Sequence, residues 1–138
     1  MGVDRTNVTW QWLAGFTDGD GCIQTNEEPR RQISAVRVSW GQKDEDAEVL
    51  DAISEFLASE GVIACVYKSA IVTQGHAYPQ AVLSVANQAE VYVLLQRLAP
   101  FLVAKQDKAY YGIALLDYIT EQRENGVRNW RIALAEGV

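Results

Sequence analysis

The chain has few of the residues on which many common functional sites depend. Its 138 residues include two cysteines, one histidine and one methionine. Cys22 and Cys65 have neither the spacing of zinc ligands nor the number that a disulfide framework needs. The single His76 excludes a site built from several histidines. No glycine-rich phosphate loop or activated-nucleophile motif is present, so we expect no small-molecule cofactor.

The chain also lacks a long apolar run. No stretch approaches the roughly 20 consecutive apolar residues that a membrane-spanning helix needs. Residues 1–7 contain neither the basic region nor the apolar region of a signal peptide. We therefore expect a protein with no membrane association in an intracellular, reducing compartment. Its length predicts a single domain over residues 1–138.

The periodicity of the apolar residues predicts an α+β fold. A first helix is capped by Asn7 and ends at the Gly19-Asp20-Gly21 run. Another helix has acidic residues from Asp44 onwards in its first turn and ends at Gly61. The other predicted elements are strands over 22–26, 32–40, 62–69 and 81–86, a helix with Asn87 and Glu90 at capping-box spacing, a long helix over about 105–123, and a short element near Trp130. This order predicts one four-stranded antiparallel sheet made of two hairpins.

One segment, from Trp12 to Gly21, contains the residues that indicate a function. Gly15 and Gly19 lie one helical turn apart, a spacing that lets two helix backbones approach closely. Asp20 lies at the C-terminal end of the helix, where the helix dipole disfavours an anion and a bound cation would compensate it. If two copies pack around a two-fold axis, their Asp20 side chains repel each other unless metal ions lie between them. Paired acidic sites of this kind bind Mg²⁺ and hydrolyse phosphodiesters.

Taken alone, the sequence Asp-Gly-Asp-Gly at residues 18–21 is typical of a tight turn after a helix. Here it coincides with the glycine spacing and with a following hairpin. The segment from Trp12 to Gly21 resembles the motif of the LAGLIDADG homing endonucleases, in the form of their single-motif, homodimeric subgroup, although Thr17 is more polar than the usual residue. The predicted order of elements resembles that family's αββαββα core, whose sheet forms a DNA-binding saddle. The resemblance implies a homodimer, because one double-strand cut needs two copies of the motif.

The resemblance also implies roles for individual residues. Asp20 would ligate Mg²⁺, or another divalent cation such as Mn²⁺ or Ca²⁺, with its carboxylate, and Gly19 with its carbonyl. The end of the second predicted strand resembles the place where the family has an active-site glutamine, here Gln42. The segment from Pro100 to Gln106 resembles the one that supplies an active-site lysine, here Lys105. Without the resemblance, Gln42 would be a strand end and Lys105 a solvated residue. The implied dimer interface consists of Leu13, Gly15, Phe16 and Gly19.

The net charge of −6 speaks against a nucleic-acid partner, because phosphate binding normally requires a basic surface. The charge is unevenly distributed, however. Residues 21–43 and 62–88, which contain the predicted hairpins, carry five basic and two acidic residues, whereas the remainder carries seven basic and sixteen acidic. A basic sheet with an acidic helical side suits a protein that lays its sheet in a DNA groove. The expected contacts with double-stranded DNA are Gln24, Asn26, Arg30, Arg37, Ser39, Lys68 and Gln80.

Two functions remain open at this point. The first is a site-specific, metal-dependent endonuclease that makes double-strand breaks in a long, pseudo-palindromic DNA site. The second is a non-cleaving nucleic-acid-binding relative on the same scaffold, either an RNA-splicing maturase or a DNA-binding regulator. Intact Asp20 and Lys105 favour the nuclease. Asp46 favours the alternative, because the subgroup tends to have a basic residue four positions after the glutamine.

Overall fold

The described part of the chain contains four α-helices and one four-stranded antiparallel sheet. It comprises residues 7–28 and 33–124 of a computed structural model. The helices are α1 (Trp10–Asp20), α2 (Glu48–Ser59), α3 (Gln88–Leu98) and α4 (Gln106–Glu124), and the strands are β1 (Gly21–Glu28), β2 (Ile33–Lys43), β3 (Cys65–Thr73) and β4 (His76–Val85). The predicted α+β fold with one sheet of two hairpins is confirmed. The predicted element near Trp130 and the predicted DNA contact Arg30 lie outside the described residues.

The two hairpins join into one sheet through their second strands. The strand order is β1-β2-β4-β3, and β2 pairs with β4 as far as Lys43 opposite Gln80. Directly opposite residues of an antiparallel sheet share a face. The inner face packs in the hydrophobic core and carries Ile23, Val36, Val38, Trp40, Ala81, Leu83 and Val85. The alternate residues form what we call the outer face, which carries Gln24, Asn26, Arg37, Ser39, Tyr67, Gln80 and Ser84.

The second hairpin is longer than the sequence predicts. Most of residues 70–80 lie in paired strands, although the glycine, histidine and proline among them predicted a connector. Gln74 and Gly75 form a two-residue turn in which both have positive φ, 53° and 79°, as tight hairpin turns of this kind require. Pro79 comes just before Gln80, which is the first residue of β4 that pairs with β2. A proline, which has no N–H to donate, is tolerated at the edge of a sheet.

The helix boundaries depend on local capping, with two corrections to the predictions. Thr9 caps α1 by accepting a hydrogen bond from the Trp12 N–H at 3.1 Å, so Asn7 is not the cap. Asp44–Asp46 form a separate 3₁₀ turn before α2 rather than its first turn. Gly61 follows the end of α2 with φ of 83°, as predicted for a helix-terminating glycine.

Helix α3 has the predicted cap but only half of the predicted capping box. The Asn87 side chain accepts a hydrogen bond from the Glu90 N–H at 3.2 Å. The Glu90 carboxylate, however, accepts from the Ile63 N–H at 3.0 Å, which connects α3 to the segment before β3. Among the described residues, no helix is long and apolar enough to span a bilayer.

Candidate metal and DNA-binding site

The C-terminal end of α1 is attached to β2 by a hydrogen bond in the core. Thr17 and Trp40 are both fully buried, and the Thr17 hydroxyl accepts a hydrogen bond from Trp40 Nε1 at 2.9 Å. The same hydroxyl donates to the Leu13 carbonyl at 2.6 Å, so the buried polar groups satisfy each other. The polar residue that departs from the motif therefore has a structural role, because it holds the last turn of α1 against β2.

Strand β1 starts directly after α1, and Gly21 makes this possible. A Cβ at Gly21 would lie 2.7 Å from Thr17 Cγ2 and 2.8 Å from Thr17 Cα, which is too close for any other residue. The Gly21 N–H donates to the Thr17 carbonyl at the helix end. The chain thus passes from helix to strand within one residue, and Asp20, the last helical residue, is held beside the start of the sheet.

Asp20 contacts the end of β2. Gln42 Nε2 donates a hydrogen bond to Asp20 Oδ2 at 3.0 Å. Asp20 is exposed, and the helix C-terminus where it lies disfavours a negative charge. Gly19 is in the same last turn, where carbonyl oxygens have no N–H partner within the helix. An exposed carboxylate and a neighbouring carbonyl oxygen are hard donors of the kind that Mg²⁺ prefers.

Asp18 and Lys105 connect this last turn to the segment before α4. The Asp18 carboxylate accepts hydrogen bonds from the N–H groups of Val103 at 2.7 Å and Lys105 at 2.9 Å. The Lys105 amino group donates back to the Asp18 carbonyl at 2.7 Å. Burial acts to raise the pKa of Asp18, but the backbone donors and the Lys105 charge outweigh it, so this pKa lies below its usual value. Asp18 therefore holds Lys105 in place, whereas Asp20 presents its carboxylate to solvent.

The three residues that the resemblance assigns to the active site come together. Asp20, Gln42 and Lys105 belong to three separate segments, and all three reach the last turn of α1. Within residues 7–28 and 33–124 of one protomer, no group of three or more His, Cys, Asp or Glu side chains could hold a metal ion. The described chain offers the Asp20 carboxylate and the Gly19 carbonyl at this place. These oxygen donors fit part of the coordination shell of a divalent cation, since Mg²⁺ usually takes its other oxygens from water, substrate phosphates or a further carboxylate.

An exposed face of α1 carries two aromatic rings and two glycines. The rings of Trp12 and Phe16 stack with centroids 5.2 Å apart and planes inclined by 9°. Gly15 and Gly19 are exposed, and a Cβ at either position would meet no atom within 4 Å. A helical glycine costs about 1 kcal/mol relative to alanine, so packing within the described protomer does not account for Gly15. Leu13 is a correction to the predicted interface, because it is fully buried in the protomer's own core.

The outer face of the sheet carries most of the predicted DNA contacts. Gln24 lies directly opposite Arg37, and both are exposed. Asn26 follows on the same side of β1 and is also exposed. Ser39 and Gln80 lie on the same face by alternation along β2 and β4, and each is partly buried. These five side chains therefore form one surface.

Lys68 does not belong to the outer face. It lies opposite Ala81, which is buried against the core, and its amino group binds the Asp44 carboxylate at 2.8 Å. The expectation that Lys68 shares a surface with Gln24 and Arg37 is therefore wrong. Apolar residues occur on both faces of β3, so alternation alone did not show which side Lys68 occupies.

Two residues on or beside the outer face were not predicted. Lys108 of α4 lines a shallow hollow together with Gln24 and Arg37. Tyr67 lines a second hollow that also contains Arg37 and Ser84. The alternation of β3 does not show which side Tyr67 occupies either, and only its pairing opposite Val82 of β4 assigns it to the outer face. No local signal could have indicated Lys108, because its place depends on how α4 packs beside β1.

The family model and the solved structures that match this chain belong to one family of proteins. Residues 8–98 match the family model described as the LAGLIDADG-like domain. The structure is similar to the homing endonuclease I-CvuI bound to its target in the presence of Ca, with 21% identity over 93% of this chain and 78% of that chain and a TM-score of 0.65. A complex of I-CvuI with the I-CreI target in the presence of Mg, in which the DNA is not cleaved, gives 21% identity over 86% and 71% of the two chains and a TM-score of 0.63.

A longer relative shares the same fold. The LAGLIDADG meganuclease I-CpaMI bound to uncleaved DNA is 17% identical, and the match covers 85% of this chain and 38% of that chain with a TM-score of 0.65. No curated protein matches the sequence. At these identities, the structural similarity shows the fold, and the match over residues 8–98 shows the family.

Proposed function

Because the chain belongs to the family of LAGLIDADG-like domains, we propose that it is a homodimeric, divalent-metal-dependent DNA endonuclease. It makes double-strand breaks in a long, pseudo-palindromic site. The main support is the convergence of Asp20, Gln42 and Lys105 at the end of α1, where a second α1 can approach along Gly15 and Gly19. The structures of I-CvuI contain DNA and were determined with Mg or Ca, which supports a divalent cation here.

Each protomer contributes half of the catalytic centre in this proposal. The Asp20 carboxylate and the Gly19 carbonyl hold Mg²⁺, or Mn²⁺ or Ca²⁺ in the same place, and the bound cation supplies activated water and stabilisation of the leaving oxygen. Gln42 keeps the Asp20 carboxylate in position through its 3.0 Å hydrogen bond. Lys105 brings a positive charge to the same turn, where it offsets negative charge that develops on the phosphate.

The outer faces of the two sheets bind the DNA in this proposal. Arg37 suits guanine or phosphate, and Gln24 and Asn26 suit adenine. Ser39 and Gln80 add smaller polar contacts on the same surface. The hollow beside Gln24 includes Lys108, so the positive charge there is larger than the strands alone provide.

Asp20→Asn tests the metal assignment. The substitution removes one negative charge per protomer at nearly constant side-chain volume, so cleavage should be lost because hard cations need anionic oxygen. DNA affinity without metal should hold or rise, because two charges that repel phosphate disappear from the dimer. The measurement combines cleavage of a selected high-affinity site in Mg²⁺ with gel-shift affinity for the same site in EDTA.

Glu121→Gln is the matched control for the loss of one acidic charge. Glu121 is exposed near the far end of α4, so its substitution should leave cleavage unchanged. Cleavage by Asp20→Asn at the wild-type rate would refute Asp20 as the metal ligand.

The alternative is a non-cleaving nucleic-acid-binding protein on the same scaffold. Asp46 favours it, because this exposed acid lies four positions after Gln42, where the subgroup that the chain resembles tends to have a basic residue. A wild-type protein that binds a selected DNA site tightly but does not cut it in Mg²⁺ or Mn²⁺ would establish this alternative. A protein that binds only structured RNA would identify the maturase form of it.

A further inference from the structure

The outer face of the sheet differs in chemistry between its two hairpins. The outward residues of the β1–β2 hairpin are small, polar or charged, as Gln24 and Arg37 illustrate. The outward residues of the β3–β4 hairpin include three large apolar or aromatic side chains, Tyr67, Ile71 and Tyr78. Their exposed fractions are 45%, 38% and 50%, so the described protomer leaves much of their surface in water.

The strand register places these three side chains on one surface, which we call the apolar row. Ile71 lies directly opposite Tyr78, and Tyr67 lies opposite Val82. The rings of Tyr78 and His76 are 6.5 Å apart, as expected for two residues on the same side of β4. Tyr67 lines the same hollow as Arg37. The apolar row is therefore continuous with the polar surface of the first hairpin.

The position of the apolar row in the sheet leaves it open to a partner. β3 is an edge strand, and exposed apolar side chains on an edge strand promote aggregation unless a partner covers them. The major groove of DNA admits a two-stranded β-ribbon, and thymine presents its 5-methyl group there as an apolar contact. Arg37 in the adjoining hollow supplies the positive charge that brings phosphate to this face.

We infer that the apolar row of the β3–β4 hairpin recognises thymine methyl groups in the major groove, while the β1–β2 hairpin reads hydrogen-bonding base edges. This inference rests on the proposed DNA-binding function and adds the base class that the second hairpin selects. Tyr67 and Ile71 are four residues apart along β3, which corresponds to roughly 13 Å. Measured along the DNA axis, that length corresponds to about four base pairs, and it spans fewer if the strand follows the inclined groove. The selected thymines should therefore lie no more than about four base pairs apart in each half of the site.

Deoxyuridine provides the test, because it differs from thymidine only by the missing 5-methyl group. A high-affinity site is selected with the full chain, and each thymine is then replaced in turn by deoxyuridine. Affinity is measured in EDTA at one fixed salt concentration. We expect about a fourfold loss of affinity for each methyl group that the protein buries, which is the effect of removing one buried CH₂ from an apolar contact.

Variants of the apolar row assign the methyl contacts to individual side chains. Ile71→Ser should remove the distinction between thymine and deoxyuridine at one position of each half-site, and Tyr67→Ser should do so at another. Val72→Ser is the matched control, because Val72 is 71% exposed and alternates to the opposite side of β3. Val72→Ser should leave the ratio of the affinities for thymine-containing and deoxyuridine-containing DNA unchanged at every position.

The outcomes separate the inference from the proposed function. If the wild type binds no DNA, both are refuted. If it binds a selected site but no thymine shows a methyl effect, or if the effect persists in both Ile71→Ser and Tyr67→Ser, the inference alone is refuted. The inference also fails if Ile71→Ser abolishes self-association while every methyl effect remains, because the apolar row would then cover a second copy of β3.

Discussion

Asp18 and Asp20 lie two residues apart in the motif, yet their surroundings give them different roles. The Asp18 carboxylate faces the backbone N–H groups of Val103 and Lys105. The Asp20 carboxylate is exposed and accepts a side-chain hydrogen bond from Gln42. A carboxylate that is engaged by several backbone donors is a poor metal ligand, because coordination would have to replace those bonds. The geometry therefore favours Asp20 over Asp18 as the ligand.

Asp18→Asn should weaken the attachment of the segment before α4. An asparagine offers one acceptor oxygen and brings an NH₂ group towards the backbone donors of Val103 and Lys105, so it cannot replace both bonds. The loss should be about 1 kcal/mol of unfolding free energy, comparable to the loss of a helix-capping side chain. The measurement is urea unfolding at pH 7.

The effect of Asp18→Asn should also depend on pH. The pKa of Asp18 is lowered in the folded protein. Its stabilising contribution is therefore complete above the unfolded carboxyl pKa of about 4 and is lost as pH falls through the lower folded value. The stability difference between wild type and variant should shrink below about pH 4. A difference that stays constant from pH 7 to pH 3 would contradict this role of Asp18.

At the scale of the elements, Gln88 connects the start of α3 to β2. Its Oε1 accepts from the Val36 N–H at 2.8 Å, and its Nε2 donates to the Val36 carbonyl at 2.9 Å. The pairing of β2 with β4 extends only as far as Val38 opposite Val85. The side-chain amide of Gln88 thus bonds the backbone of β2 beyond the end of its pairing with β4.

Gln88→Leu should leave the N–H and carbonyl of the buried Val36 without these partners. We expect a destabilisation of about 2–3 kcal/mol, because an unpaired buried backbone group costs about 1–3 kcal/mol. Gln88→Glu tests the donor separately, since it retains an acceptor for the Val36 N–H but turns a carboxylate oxygen towards the Val36 and Ala86 carbonyls, so it should also be destabilising. Chemical unfolding of the three proteins compares them, and equal stability of all three would exclude this connection.

At the scale of the elements, a helix or strand could be predicted from the sequence when the residues that determine its ends lie within it. Gly61 and Asn87 mark helix ends through their own conformation and side chain, and their effects were predicted correctly. The bond between Asp18 and Lys105 joins residues 87 positions apart, and no local pattern contains it. The strands within residues 70–80 were missed because the tolerance of Pro79 depends on where β2 stops pairing. In the site, the motif indicated Asp20, whereas Gln42 and Lys105 required the family resemblance.

At the scale of the whole molecule, the two faces of the sheet differ in charge as well as in packing. Arg37 is exposed on the outer face, whereas Lys68 lies on the other face and pairs with Asp44. Arg37→Ala should therefore weaken DNA binding and reduce the dependence of log affinity on log salt by about one unit per protomer if it contacts phosphate. Lys68→Ala removes the same charge and should leave this slope unchanged. Equal slopes for the two variants would remove Arg37 from the DNA surface.

Assembly is the other property that belongs to the whole molecule, and Gly15 is the residue that tests it. Gly15 is exposed and a Cβ there meets no atom within 4 Å in the protomer, so a leucine would start in open space. Leucine also favours a helix by most of the roughly 1 kcal/mol that separates glycine from alanine. Gly15→Leu should therefore fold at least as stably as the isolated wild-type protomer. In a dimer, the same side chain would hold the two α1 helices apart and abolish the shared metal site.

The expected result is a dimeric wild type and a monomeric Gly15→Leu by light scattering at micromolar concentration without DNA. The thermal midpoint of the wild type should rise with protein concentration, because dissociation is linked to unfolding, whereas that of the variant should not. Ala58→Leu adds a leucine at an exposed position of α2 and should remain dimeric. The variant should also lose double-strand cleavage, since one protomer offers only one Asp20. A monomeric wild type, or a dimeric Gly15→Leu, would exclude the exposed face of α1 as the interface.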